Sequence, residues 1–220
     1  MFKNKFLKLA SILLMLCLIT TCGVSGTFAK YTTGGTATDS ARVAKWGVNV
    51  TVTGEDAFKT TYGTTVKSSG THKVVAPGTN GDLGTVTITG TPEVAVNVTY
   101  DVSLTLTGWT DGTNDYCPLV FTIGGETYGL TGIKTSSEDT PTPTYTYGTI
   151  AELISAVEGA IEGINNSYVA GTNLSGKGNI SASWEWAFSG NDDAKDTALG
   201  TALTPPTVEF SLTVSVTQID

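Results

Sequence analysis

The chain has 220 residues, with 20 acidic and 12 basic side chains, one histidine and a formal net charge of −8. An acidic chain sparse in Lys and Arg repels phosphate, which argues against a nucleic-acid partner. A chain of this length can bury a core within one domain without help from disulfides.

Residues 1–8, Met1-Phe-Lys-Asn-Lys-Phe-Leu-Lys8, carry three lysines and no acid. An apolar run from Leu9 to Ile19 follows, interrupted only by Ser11. As a helix it covers roughly 16 Å, well short of the ~30 Å hydrocarbon core of a bilayer. The basic start, short apolar run and small residues after it read as a secretory signal peptide over residues 1–29. Thr27-Phe-Ala29 offers small side chains at the −3 and −1 positions, so cleavage is expected between Ala29 and Lys30. Val24-Ser25-Gly26 is the weaker alternative, and a retained membrane anchor is the competing reading of the run. Cys22 raises a lipoprotein alternative, but Thr21 stands where a small Ala or Gly normally precedes a lipidated cysteine.

No second apolar run of membrane length follows. Val214–Asp220 carries no apolar tail, basic stop-transfer cluster or LPxTG-type sorting sequence. The expectation is a secreted, extracellular or cell-surface protein with no stable membrane insertion after cleavage. Three of the 12 basic residues and none of the 20 acidic ones precede residue 30, so cleavage takes the formal charge from −8 to −11. Cys17 and Cys22 leave with the leader, and a lone Cys117 cannot close an intramolecular disulfide. It sits in the apolar run Tyr116-Cys-Pro-Leu-Val-Phe121 with no basic neighbour in sequence, and reads as a buried small hydrophobe.

Residues 30–45 read as a flexible lead, rich in Gly and Thr. From Trp46 onward the chain is rich in Thr, Val, Gly and Ser, and β-branched side chains suit a pleated strand. Period-2 alternation marks the strands. Trp46, Val48, Val50 and Val52 share one face, as do Val86 and Ile88. Val94 to Leu106 alternates throughout, which predicts a long bent strand or one crossing between sheets. Ser181–Phe188 and Val208–Thr217 repeat the pattern. Turns are expected at Ala76-Pro77-Gly78-Thr-Asn80-Gly81, Thr89-Gly90-Thr-Pro92, Asp111-Gly112, Gly124-Gly125 and Pro205-Pro206, with Thr140-Pro141-Thr-Pro143 a loop. One segment is helical. Thr149 and Glu152 form a capping box, and Ile150, Leu153, Ile154, Val157, Ile161 and Ile164 make one apolar stripe. The helix is expected over about 149–164, lying across an end or flank as a lid. The fold class is thus all-β: a two-sheet antiparallel sandwich over residues 46–220, with one short α-helix inserted between strands.

Chemistry is sparse. His72 alone cannot supply the paired histidines of an HExxH zinc site. G-x-S-x-G is absent, so a Ser-His-Asp triad has no nucleophile elbow, and His72 reads as a surface strand residue. There is no phosphate-binding loop. The reading is no enzyme, no catalytic residues and no cofactor. Asn191, Asp192, Asp193 and Asp196 are a weak calcium candidate, because hard oxygen ligands cluster there without EF-hand spacing. A solvated turn with an Asx cap is the plainer reading. Asp111, Asp115 and Asp139 read as loop acids. Trp46, Trp109, Trp184 and Trp186 could build a carbohydrate platform, but Trp184 and Trp186 share a strand face, which favours core positions.

Several short segments resemble one family. Gly26-Thr-Phe-Ala-Lys-Tyr31 with Ala37-Thr-Asp-Ser-Ala-Arg-Val-Ala-Lys-Trp46 resembles the start of proteins exported through the SipW type of signal peptidase. Val75-Ala-Pro-Gly-Thr-Asn-Gly-Asp82 resembles the PG turn of TasA and camelysin relatives. Trp184-Glu-Trp186 followed by Asp196-Thr-Ala-Leu-Gly200 resembles late motifs of the same group. The resemblance implies a jelly-roll-like sandwich and assembly into biofilm-matrix fibres at the cell surface. It further implies a head-to-tail homopolymer in which an N-terminal segment docks as a donor strand into the next subunit. Carried onto this chain, the donor includes Lys30, Tyr31, Thr32, Thr33, Ala37 and Val43. Other matrix or cell-wall components are further candidate partners. Two other readings compete: a monomeric extracellular binding module or adhesin, and a hydrolase. The metallopeptidase label of some camelysin relatives is not supported by a single histidine.

Overall fold

The computed structural model describes residues 41–54 and 56–220. The leader, the Ala29–Lys30 junction, Cys17 and Cys22, and the donor residues Lys30, Tyr31, Thr32, Thr33 and Ala37 lie outside the described residues. One compact unit spans Ala44–Asp220. It is mostly β, with two short helices among the described residues.

A six-stranded sheet runs in the order β1, β4, β10, β6, β7, β8. Its strands are β1 (Val48–Thr53), β4 (Thr79–Gly90), β10 (Ile180–Trp186), β6 (Leu119–Ile123), β7 (Glu126–Leu130) and β8 (Tyr145–Tyr147). All pairings are antiparallel except β7–β8, which is parallel because the 131–144 connection returns the chain in the same direction. A three-stranded sheet has β5 (Val96–Thr107) in the centre, between β11 (Thr207–Gln218) and β9 (Asn166–Tyr168). A small hairpin, β2 (Thr61–Tyr62) with β3 (Val66–Lys67), completes the strands.

Both larger sheets feed one core. Val86, Ile88, Phe121, Ile180, Ala182 and Trp184 of the first meet Val96, Val98, Tyr100, Val102, Leu104 and Leu106 of the second in a single buried cluster. The alternation along β5 is realised in full: its even-numbered residues are buried, and its odd-numbered residues are half-buried or exposed. β5 therefore stays within one sheet and does not cross.

Helix α1 (Ile150–Glu162) has Thr149 as its N-cap, and both halves of the capping box are formed. Leu153, Val157 and Ile161 are fully buried. The helix packs on β5 on one side and on β6, β7 and β8 on the other.

Five local expectations are corrected. Asn80-Gly81 belongs to β4 instead of a turn. Its glycine serves close approach, since a Cβ at Gly81 would sit 2.1 Å from the Ala57 carbonyl oxygen. Trp46 is not part of β1, because Gly47 at φ +58° breaks the strand behind it. β10 ends at Trp186, leaving Phe188 exposed. His72 lies in an exposed bend, not in a strand. A second helix, α2 (Asp193–Thr201), occupies the acid-rich segment read as a turn. The Asx cap is present at Asp192, whose carboxylate accepts from the Ala194 and Lys195 N–H groups, and a helix continues from it.

Candidate assembly seam

β5 and β11 are paired over their whole length, residue for residue, from Thr207 opposite Thr107 to Gln218 opposite Val96. Their apolar faces are equally regular in sequence but differ in cover. Tyr100, Val102, Leu104 and Leu106 are buried, whereas their β11 partners Val214, Leu212, Phe210 and Val208 are only half-buried. The reason is position. β11 is an edge strand, and among the described residues no strand pairs its outer side. β1 is likewise the edge of the larger sheet, and Val52 on it is exposed.

Between these two edges lies an open seam of about 410 Å³, lined by Val52, Ala57, Phe58, Leu83, Phe210 and Leu212 among others. Leu212 reaches towards Gly84 across it, where a Cβ on Gly84 would lie 3.4 Å from Leu212 Cδ2. Past Phe58 and Lys73 the seam widens into a groove of about 860 Å³ beneath Val75, Trp109, Trp186, Pro205, Pro206 and Val208. Long edges with an apolar stripe are templates for added strands. Each half-covered Val, Leu or Phe leaves about 1 kcal/mol of burial unrealised.

The chain enters the domain at one end of this seam. The Lys45 N–H donates to a Glu93 carboxylate oxygen at 2.8 Å, and the Glu93 N–H donates to the Lys45 carbonyl. β11 finishes at the same end, where the Ile219 N–H donates to the Ala95 carbonyl. The wide groove is at the other end, where β11 starts beside the end of β5.

The opposite flank is closed. β9 pairs with Val96–Val98 on the outer edge of β5. Farther along, Asn165 Oδ1 accepts from the Tyr100 N–H at 2.6 Å, and Glu158 Oε1 accepts from the Leu104 N–H at 2.9 Å. Side chains from α1 and the residues after it thus satisfy backbone donors that a neighbouring strand would otherwise take.

The other sequence candidates are placed as follows. Asp192 caps α2, and Asn191 Oδ1 accepts from the Lys134 N–H at 2.8 Å. The Asp196 carboxylate accepts from the Tyr116 hydroxyl at 2.6 Å and the Trp186 Nε1–H at 3.4 Å, while Asp193 is exposed in the first turn of α2. These oxygens serve capping and tertiary hydrogen bonds, and the described residues contain no group of three or more His, Cys, Asp or Glu arranged for a metal ion. Burial raises the Asp196 pKa, against the opposing effect of its two donors. Asp111 is held low, first by the Asn114 N–H, then by Lys195 at 2.9 Å and the Thr113 N–H. The Cys117 thiol is buried, and that burial pushes its pKa up to about 12.

Three of the four tryptophans are core residues, 2%, 1% and 4% exposed at Trp109, Trp184 and Trp186. Each buried indole N–H has an acceptor: the Thr207 carbonyl, the Ala57 carbonyl and Asp196, respectively. Trp46 is 42% exposed and lies outside both the core and its packed surround. Val43 is almost fully exposed. The seam was missed in sequence because alternation marks the apolar face of a strand without saying what covers it. The only sequence hint is the length of the Val208–Thr217 run at the end of the chain. No family model, no curated protein and no solved structure matches this chain.

Proposed function

We propose that this chain is a secreted, non-enzymatic structural protein of the cell surface or biofilm matrix that polymerises head to tail by donor-strand addition. Its two larger sheets form the leaves of a jelly-roll-like sandwich left open along one side. The observation that carries the reading is the seam between β1 and β11, bordered by a 12-residue edge strand whose apolar face is only half covered.

Residues 30–43 of a neighbouring copy suit that seam. They span more positions than β11. Their odd-numbered residues are Tyr31, Thr33, Gly35, Ala37, Asp39, Ala41 and Val43, and the even-numbered ones are Lys30, Thr32, Gly34, Thr36, Thr38, Ser40 and Arg42. In this reading the odd face, whose one charge is Asp39, meets the seam and the even face meets water, which is the register logic of β-augmentation. Direction is also constrained. The lead of each copy leaves its domain at the end where β11 finishes. Entering the next copy at the groove end, it runs antiparallel to that copy's β11, the more favourable pairing. The contact joins two different surfaces and does not close, so it propagates as a filament.

Electron microscopy of mature protein tests this, with and without residues 30–43. Filaments from the full mature chain and none from the truncated one are expected. Filaments from the truncated chain, or a full chain that stays monomeric as a binding module would, overturn the reading. A variant with an uncleavable Ala29 is expected to remain unassembled, because a retained leader blocks the Lys30 end.

A further inference from the structure

We infer that Trp46 is the anchor of the contact between successive copies, its indole seating in the wide groove of the next subunit. The inference rests on the head-to-tail reading above and adds a side-chain lock to its main-chain pairing.

Three observations place Trp46 there. First, the chain enters the domain at Ala44–Gly47. If residues 30–43 lie in a neighbour's seam, residues 44–46 stand at the mouth through which they enter, which is the groove end. Second, Trp46 is a large aromatic left 42% exposed, on the far side of the positive-φ Gly47 from β1, and among the described residues it lies outside the core cluster and its packed surround. Tryptophan is among the residues enriched at binding hot spots, where it seats in a well-packed, desolvated pocket. Third, the groove fits it. At about 860 Å³ it has the size of an ordinary small-molecule pocket, and its floor is apolar and aromatic, made by Val75, Trp109, Trp186, Pro205, Pro206 and Val208. Its rim carries Glu209 as well as His72 and Lys73. Lys45, adjacent to Trp46, brings a positive charge to the Glu209 side of that rim.

The two partners lie at opposite ends of the domain. Trp46 sits beside the Gly90–Glu93 turn, and the groove sits beside the start of β4. A 12-residue strand such as β4 separates them, a span of about 40 Å at the usual strand rise. A tryptophan therefore cannot fill the groove of its own domain, and the contact is between copies.

Because Trp109, Trp184 and Trp186 are buried, quenching of tryptophan emission by acrylamide reports Trp46 almost alone. In the monomer it is expected to be quenched freely, and in filaments of full mature protein to be protected. Trp46→Ala, and Gly200→Phe on the groove side, are each expected to raise the concentration needed for assembly about tenfold or more. Gly200 lines the groove, and a Cβ there meets nothing within 4 Å, so a larger side chain has room at the groove wall. Unchanged monomer Tm in both variants separates loss of contact from loss of fold. Filaments that form with residues 30–43 required, yet leave Trp46 freely quenched and assemble equally well as Trp46→Ala, overturn the anchor and leave donor addition standing. A truncated chain that still polymerises with Trp46 protected removes donor addition and keeps the anchor. Protein that stays monomeric at every concentration overturns both.

Discussion

Beyond the outer edge of β5 the chain supplies its own cover; beyond β11 it supplies none among the described residues. On the first flank, β9 takes the start of β5, Asn165 and Glu158 take its next donors, and Leu153, Val157 and Ile161 fill the space between the sheets. On the second, Val208, Phe210, Leu212, Val214 and Val216 stand half-covered. A helix covers the edge of the sheet on the first flank, and among the described residues no strand covers it on the second. The difference teaches where stability and function reside. The helical flank buries its apolar side chains fully, and the open seam buries its own only in part.

Substitutions should separate the two flanks. The largest expected loss of monomer stability is from Leu153→Ala, at about 2–5 kcal/mol, since the side chain is fully buried under α1. Urea unfolding checks it, and Phe210→Ala in the seam should cost clearly less. A seam variant as destabilising as Leu153→Ala would mean that the seam is part of the monomer's core after all. Conversely, Leu212→Asp is expected to leave a folded monomer while abolishing filaments.

Next in size is Glu158→Ala, which strands the Leu104 N–H and is expected to cost about 1–3 kcal/mol. Glu158→Gln keeps the acceptor oxygen and should recover most of that loss. If the two variants unfold alike, the carboxylate is not standing in for a strand. Thr149→Ala removes the side-chain acceptor of the Glu152 N–H, 3.2 Å away, and should cost about 1 kcal/mol.

The smallest effect is a pH slope at the groove end of the domain. Burial raises the Asp196 pKa above its unfolded value. The native state therefore holds that proton more tightly, and the contribution of Asp196 to stability falls as pH rises from about 3.9 through its raised folded value. Asp196→Asn should flatten the decline. Asp111 has the opposite sign: its lowered pKa gives stability above the ordinary carboxylate range that is lost as pH falls through it. Stability measured across acid pH in Asp196→Asn and Asp111→Asn should move in opposite directions. Parallel changes would refute the assignment.

Much of the helical flank was legible locally. A capping box and an apolar stripe are properties of neighbouring residues, and Thr149, Glu152, Leu153, Val157 and Ile161 show both. The Gly124-Gly125 turn was equally plain, since both residues need positive φ, +60° and +97°. Helix α2 left a weaker signal in Asp192, a good N-cap, followed by acids at Asp193 and Asp196 in the first turn. Gly81 misled because glycine marks a turn and a close backbone approach alike. The candidate site was the least legible part.

Sequence alone was enough to show which residues alternate, where the capped helix begins, and that Cys117 is the one cysteine after Cys22. Tertiary structure alone decided that β5 is central and β11 peripheral, although their patterns are the same. Periodicity is set by the geometry of one strand, while cover depends on which distant segments pair with it. The same separation holds for the tryptophans. Alternation favoured core positions for Trp184 and Trp186, but only the fold buried Trp109 as well and left Trp46 facing outward at the point where the chain enters.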